Sequence, residues 1–180
     1  MKNSAQNRGF TLVELLVVIA IIAILAAVVV LIINPLELTR RGRDAARLTD
    51  LANLQSAINV AVQESTGSGV VATLCKNSAT YPCNGSSHNG TRTSNGTGWV
   101  KTDLSGSRSV SLATLPVDPI NSTAFHYTYC ANNDAWEINT VLESEQQKGK
   151  MTGEGGDDTN LYEVGSNLQL ISSSGGICTY

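Results

Sequence analysis

Hydrophobic positions are distributed unevenly along the chain. From Leu12 to Ile33 the side chains are apolar without a break except at Glu14. At about 1.5 Å per residue, those 22 residues make roughly 33 Å of helix, enough to span a bilayer. After Asn34-Pro35 the pattern changes. Ala45, Leu48, Leu51, Leu54, Ile58 and Val62 recur at three- and four-residue steps, which predicts an amphipathic helix over Glu37 to Gln63. Arg40, Arg41, Arg43, Asp44, Arg47, Asp50 and Glu64 fall mostly off this stripe and read as a solvated face, or one meeting headgroups or acidic neighbours. Pro35 predicts a kink or the end of the first helix. Gly67-Ser68-Gly69 predicts the end of the second.

Beyond Gly67 the helical period disappears. Residues 67–110 are small and polar, with Asn-Gly turn signals at Asn84, Asn89 and Asn95, and read as a variable surface loop with at most short strands. Trp99 and Val100 mark a return to the core. In residues 111–180 the strand candidates are Ala124 to Cys130, Ala135 to Leu142, Leu161 to Val164 and Leu168 to Ser172. A turn at Asn132-Asn133-Asp134 joins the first two. A small antiparallel sheet packed on the Leu48/Leu51/Ile58 stripe makes the fold class α+β.

Charge and cysteines refine the picture. The chain carries 12 basic and 15 acidic side chains, a net charge of −3. Loss of Lys2 and Arg8 with a leader at residues 1–9 makes it −5, no footprint for nucleic acid. The four cysteines, Cys75, Cys83, Cys130 and Cys178, form no CxxC pair and no cluster with histidine at metal-ligand spacing. In an exported segment an even count points to disulfides, with three pairings open and buried free thiols as the alternative. Cys75–Cys83, closing a short loop, and Cys130–Cys178, tying the tail to a strand, are the pairings expected.

The first nine residues are polar and basic, and no small-residue exit site follows before Ile33. The apolar segment therefore reads as a retained anchor, with the N-terminus in the cytoplasm and the C-terminal region outside. The four arginines after the span strain that bias, which a helix leaving the membrane need not obey. Glu14 is the anomaly. A carboxylate in an apolar span costs on the order of 2.5–3.5 kcal/mol on insertion scales. Either it reaches the interface, or it meets a positive partner at the same depth. A cut between Gly9 and Phe10 creates such a partner, the amine of Phe10.

Gly9 to Val29, GFTLVELLVVIAIIAILAAVV, resembles the type III signal and N-terminal methylation motif of type IV pilins and type II secretion pseudopilins. The resemblance implies that a membrane aspartic protease, the prepilin peptidase, cuts after Gly9 and methylates Phe10. Glu14 then occupies the fifth mature position, where the family's glutamate sits. It implies a membrane-anchored precursor that becomes a filament subunit. The partners it implies are copies of the chain itself, minor pilins and an inner-membrane assembly platform. Leu115-Pro116-Val117-Asp118-Pro119, with Tyr129 and Glu143, resembles more loosely the heads of the same proteins.

Other features carry less. Glu154, Asp157, Asp158 and Asn160 lie in a Gly-rich loop where hard oxygen ligands suit calcium; a solvated acidic turn is the alternative. Asn84, Asn89, Asn95 and Asn121 begin N-x-S/T triplets, which arise by chance in such stretches. His88 and His126 belong to no catalytic motif, and neither a nucleophile elbow nor a phosphate loop is present, so no enzyme is expected. Three functions remain open: a subunit of an extracellular type IV pilus, a pseudopilin of type II secretion, and an anchored binding module that never polymerises.

Overall fold

The computed structural model describes residues 9–65, 73–76, 81–106, 112–171 and 178. Most of the leader, the Gly67-Ser68-Gly69 stop and Ser172 lie outside these residues. The chain divides into two units, Met1–Thr39 and Arg40–Tyr180.

The first unit is built on helix α1, Leu12–Ile33. Its twenty-two residues bury nothing within the chain; Phe10, just before it, is 86 % exposed. The helix ends at Asn34, whose φ of 43° and ψ of 80° place it in the left-handed region. Helix α2, Pro35–Glu64, begins at the next residue. The Asn34 carbonyl and side chain both accept from the Glu37 N–H, at 3.1 and 3.4 Å. Proline thus occupies the first helical position, where its missing donor costs nothing. The break is one residue long, and no turn of helix is melted around it.

In the second unit, α2 presents Asp44, Arg47, Leu51, Leu54, Ala57, Ile58 and Ala61 as its buried face. This corrects the sequence expectation at its N-terminal end. Ala45 is exposed, Leu48 is half-buried, and the charged pair Asp44 and Arg47 takes their place. Arg47 is fully buried because it is neutralised on every side. Its guanidinium donates to Asp118 at 2.6 and 3.1 Å, to Asp44 at 2.8 Å and to Glu143 at 2.6 Å. It also lies 5.3 Å from the ring centre of Phe125. A charge-assisted fork of this kind holds positions that periodicity assigned to solvent.

The sheet has four antiparallel strands in the order β1 (Cys83–Ser86), β2 (Thr128–Asn132), β3 (Ala135–Thr140) and β4 (Tyr162–Gly165). A two-residue turn at Asn133-Asp134, with Asn133 at φ 53°, joins β2 to β3. The strand boundaries differ from the sequence reading; β2 runs on to Asn132, and β4 is shifted by one residue to Tyr162–Gly165. β2 starts at Thr128 rather than Ala124, because Ser122 and Phe125 close a turn on each other through N–H bonds of 2.8 and 3.2 Å. β3 stops at Thr140, since the backbone donors beyond it turn to side chains: the Leu142 N–H to Met151 Sδ at 3.5 Å, and those of Glu143 and Ser144 to the Asp44 carboxylate. Among the described residues of the Leu168 to Ser172 candidate, only Ile171 pairs, as an isolated bridge to Cys178. A single turn of helix, α3, spans Glu145–Lys148.

Alternation divides the sheet. Tyr129, Ala131, Trp136, Ile138 and Val164 share one core with Leu51, Leu54 and Ile58 of α2. On the opposite face, Cys130 packs with Leu170 and Ile171. The polar segment before β2 contributes more than a loop. Leu74, Trp99, Val100 and Leu104 are fully buried in the main core. Asn84-Gly85, a turn signal in the sequence, lies within β1, and Gly85 is required there because a Cβ would stand 2.0 Å from the Trp99 carbonyl oxygen. Small residues in this stretch admit a buried tryptophan.

Candidate functional site

Gly9 and Phe10 form an exposed, non-helical approach to α1. Thr11 is the N-cap, in extended conformation, and the first orphan donors of the helix are satisfied locally. The Glu14 N–H donates to Thr11 Oγ1 at 3.3 Å. Glu14 Oε2 in turn accepts from the Thr11 N–H at 2.8 Å and its hydroxyl at 2.7 Å. This is a capping box, and its T-x-x-E spacing is legible in the sequence once Glu14 is considered as a cap. Thr11 is therefore the residue that sequence reasoning passed over. The Glu14 carboxylate is thus fixed at the N-terminal end of α1, beside the Gly9-Phe10 approach.

The helix that follows is the only candidate membrane span among the described residues. Apart from Glu14 it carries no charge, and its whole circumference is apolar. Such a surface is stable in lipid, or packed against other helices of its own kind.

The remaining candidates are placed as follows. Cys75 bonds to Cys83 and Cys130 to Cys178, with Cα separations of 5.9 and 5.8 Å. The first closes eight residues beside the buried Leu74; the second fixes the tail against β2. The four residues of the acidic loop differ in exposure. Asp157 and Asn160 are exposed, Glu154 is half-buried, and buried Asp158 uses Oδ1 to accept from the Asn160 N–H and amide at 2.8 and 3.1 Å. Among the described residues no three His, Cys, Asp or Glu side chains form a metal-binding group. His88 Nδ1 and His126 Nδ1 each meet a backbone carbonyl, of Asn121 and Ser122.

A second acidic feature escaped the sequence reading. Glu137 of β3 and Glu163 of β4 are both buried, on the face opposite the main core. Glu137 Oε2 accepts from the N–H groups of Leu170 and Ile171, at 2.8 and 3.0 Å. Burial, and then the hydrogen bond and charge of Glu163, push its pKa up to about 8. Burial also raises Glu163. The pair retains a proton at neutral pH and pins the C-terminal segment to the sheet.

Residues 4–30 match the family model described as the prokaryotic N-terminal methylation motif, the hallmark of type IV pilins and pseudopilins. That family is structural rather than enzymatic. No curated protein and no solved structure matches the chain. With a methylation motif on a capped apolar helix, and an α+β head of four antiparallel strands, the chain carries the N-terminal signature of type IV pilins and pseudopilins on a pilin-like arrangement of elements.

Proposed function

We propose that the chain is a structural subunit of a type IV pilus-like filament. The prepilin peptidase cuts it between Gly9 and Phe10 and methylates Phe10, and an inner-membrane platform adds it to the filament with its head outside. Supporting this reading is Glu14, a lone carboxylate near the start of an otherwise uncharged apolar helix, the fifth residue past the junction. In a lipid-free filament core, Glu14 of an incoming subunit pairs with the Phe10 amine of a docked neighbour. Either charge left alone there is costly, so the pair sets axial register. The apolar side chains of α1 then pack helix on helix.

The test is Glu14→Ala in the native cell, with electron microscopy of surface filaments and mass spectrometry of the mature N-terminus. Filaments are expected to disappear while cleavage and methylation persist. Unchanged filaments would refute the reading and leave an anchored module. A type II secretion pseudopilin is the second reading, favoured by the Leu115-Pro116-Val117-Asp118-Pro119 stretch. Genes for a secretin and a secretion ATPase beside this one would select it.

A further inference from the structure

The face of the sheet turned away from the main core carries a cleft of about 360 Å³. Its described lining includes His126, Thr128, Asn139, Asp158 and Asn160, with Ala124, Val141 and Leu161 as apolar patches between them. A neighbouring depression, lined by Asn84, Ser86 and Asn89, adjoins it across His126 and Thr128, which both cavities share. Neither cavity has an enzyme's pairing of nucleophile and base. Both are rich in side chains that donate and accept hydrogen bonds.

We propose that this cleft binds a neutral saccharide. The first argument is an unsatisfied donor. Asn139 is only 2 % exposed, sits opposite Thr128 across the β2–β3 pair, and its amide nitrogen has no hydrogen-bond partner. A buried amide without an acceptor is unfavourable, and because Asn139 lines the cleft, a turn of its now-covered amide toward the opening lets a ligand hydroxyl remove the penalty. The second is the donor set. Asp158 uses Oδ1 to hold Asn160, so the two present fixed amide and carboxylate groups together. Asparagine and aspartate match the paired donor and acceptor of adjacent sugar hydroxyls. His126 is held through Nδ1 by the Ser122 carbonyl, which fixes its ring at the cleft wall. The third is charge. No lysine or arginine is among the described lining residues, whereas Asp158 is, with its N–H donating to buried Glu163. Phosphates, sulfates and acidic sugars are therefore disfavoured. The apolar patches suit the C–H face of a pyranose, and the volume falls within the range of small-ligand pockets. The proposal stands apart from filament assembly, since every residue it uses belongs to the head.

Saturation-transfer and amide-shift NMR on the full chain, in a phosphocholine detergent that contains no sugar, tests it. The probes are glucose, galactose, mannose, N-acetylglucosamine, N-acetylgalactosamine and sialic acid. At least one neutral sugar is expected to shift the amides around His126, Thr128, Asn139 and Asn160 and to saturate at millimolar concentration. Asn139→Ala and Asn160→Ala are each expected to weaken it by about tenfold, as losing one hydrogen bond implies. Asn160 is exposed, so that variant keeps the test intact even if Asn139→Ala does not fold. Absence of shifts with every neutral sugar, equal binding by a folded Asn160→Ala chain, or tighter binding of sialic acid overturns the proposal.

Discussion

Arg47 and Glu137 show how single ionisable residues are kept inside the head, and by opposite means. Arg47 is surrounded by Asp44, Asp118 and Glu143, so its charge is kept and matched. Truncation leaves these carboxylates facing each other in a dry site. Arg47→Ala is expected to destabilise the head by about 3–5 kcal/mol, and Arg47→Lys, which keeps the charge but not the fork, by a substantial part of it. Urea titration followed by tryptophan fluorescence measures both. Glu137 is instead kept by holding a proton. Its folded-state pKa of about 8 lies above its ordinary carboxylate value of 4.5, so the folded chain binds a proton that the unfolded chain has released. That contribution is complete below the lower value and is lost as pH rises to the upper. Glu143 acts oppositely: Arg43, then Arg47, hold its pKa down, so its contribution is lost in acid. Between the two Glu137 values, stability in urea is expected to fall with rising pH, and Glu137→Gln, neutral throughout, is expected to flatten that slope. A slope unchanged by the substitution contradicts the assignment. Neither residue was legible in the sequence. Periodicity assigns charges to solvent by default, and the partners of Arg47 lie as far as 96 residues along the chain.

At the scale of elements, legibility followed the range of the forces involved. The two helices were readable because their signals are local: an apolar run, a repeat of three and four, and a proline at the boundary. The strands were displaced by a few residues where a side chain intervened, as Ser122 does before β2 and Asp44 after β3. Residues 67–110 misled more, since glycine and asparagine signal turns whether they lie at the surface or make room for Trp99. The two disulfides act on different lengths of chain, eight and 48 residues. In the chain-entropy picture these closures constrain the unfolded state by about 2.5 and about 4 kcal/mol. The Cys130→Ser/Cys178→Ser chain is therefore expected to melt at a lower temperature than Cys75→Ser/Cys83→Ser. It should also lose amide-exchange protection at Leu170 and Ile171, which pack on Cys130. Calorimetry and hydrogen exchange read the two effects separately.

At the scale of the whole molecule, the methylation motif names the kind of subunit but not the machine, because the signal is confined to residues 4–30 and both machines use it. The structure adds a second role for the same glutamate. In the uncleaved chain Glu14 caps its own helix through Thr11, a job that needs an acceptor oxygen but no charge. On the proposed reading of assembly, Glu14 must instead meet the Phe10 amine of a neighbour, which needs the negative charge. Glu14→Gln separates these roles, since the amide keeps an oxygen for the Thr11 N–H and hydroxyl while losing the charge. If capping is all that Glu14 supplies, Glu14→Gln chains build filaments in normal number. If the charge sets the register, Glu14→Gln fails to assemble as completely as Glu14→Ala, while both remain cleaved after Gly9 and methylated at Phe10. Counting filaments by electron microscopy against mature subunit in the membrane fraction decides between them, and the expected result is loss of filaments in both variants.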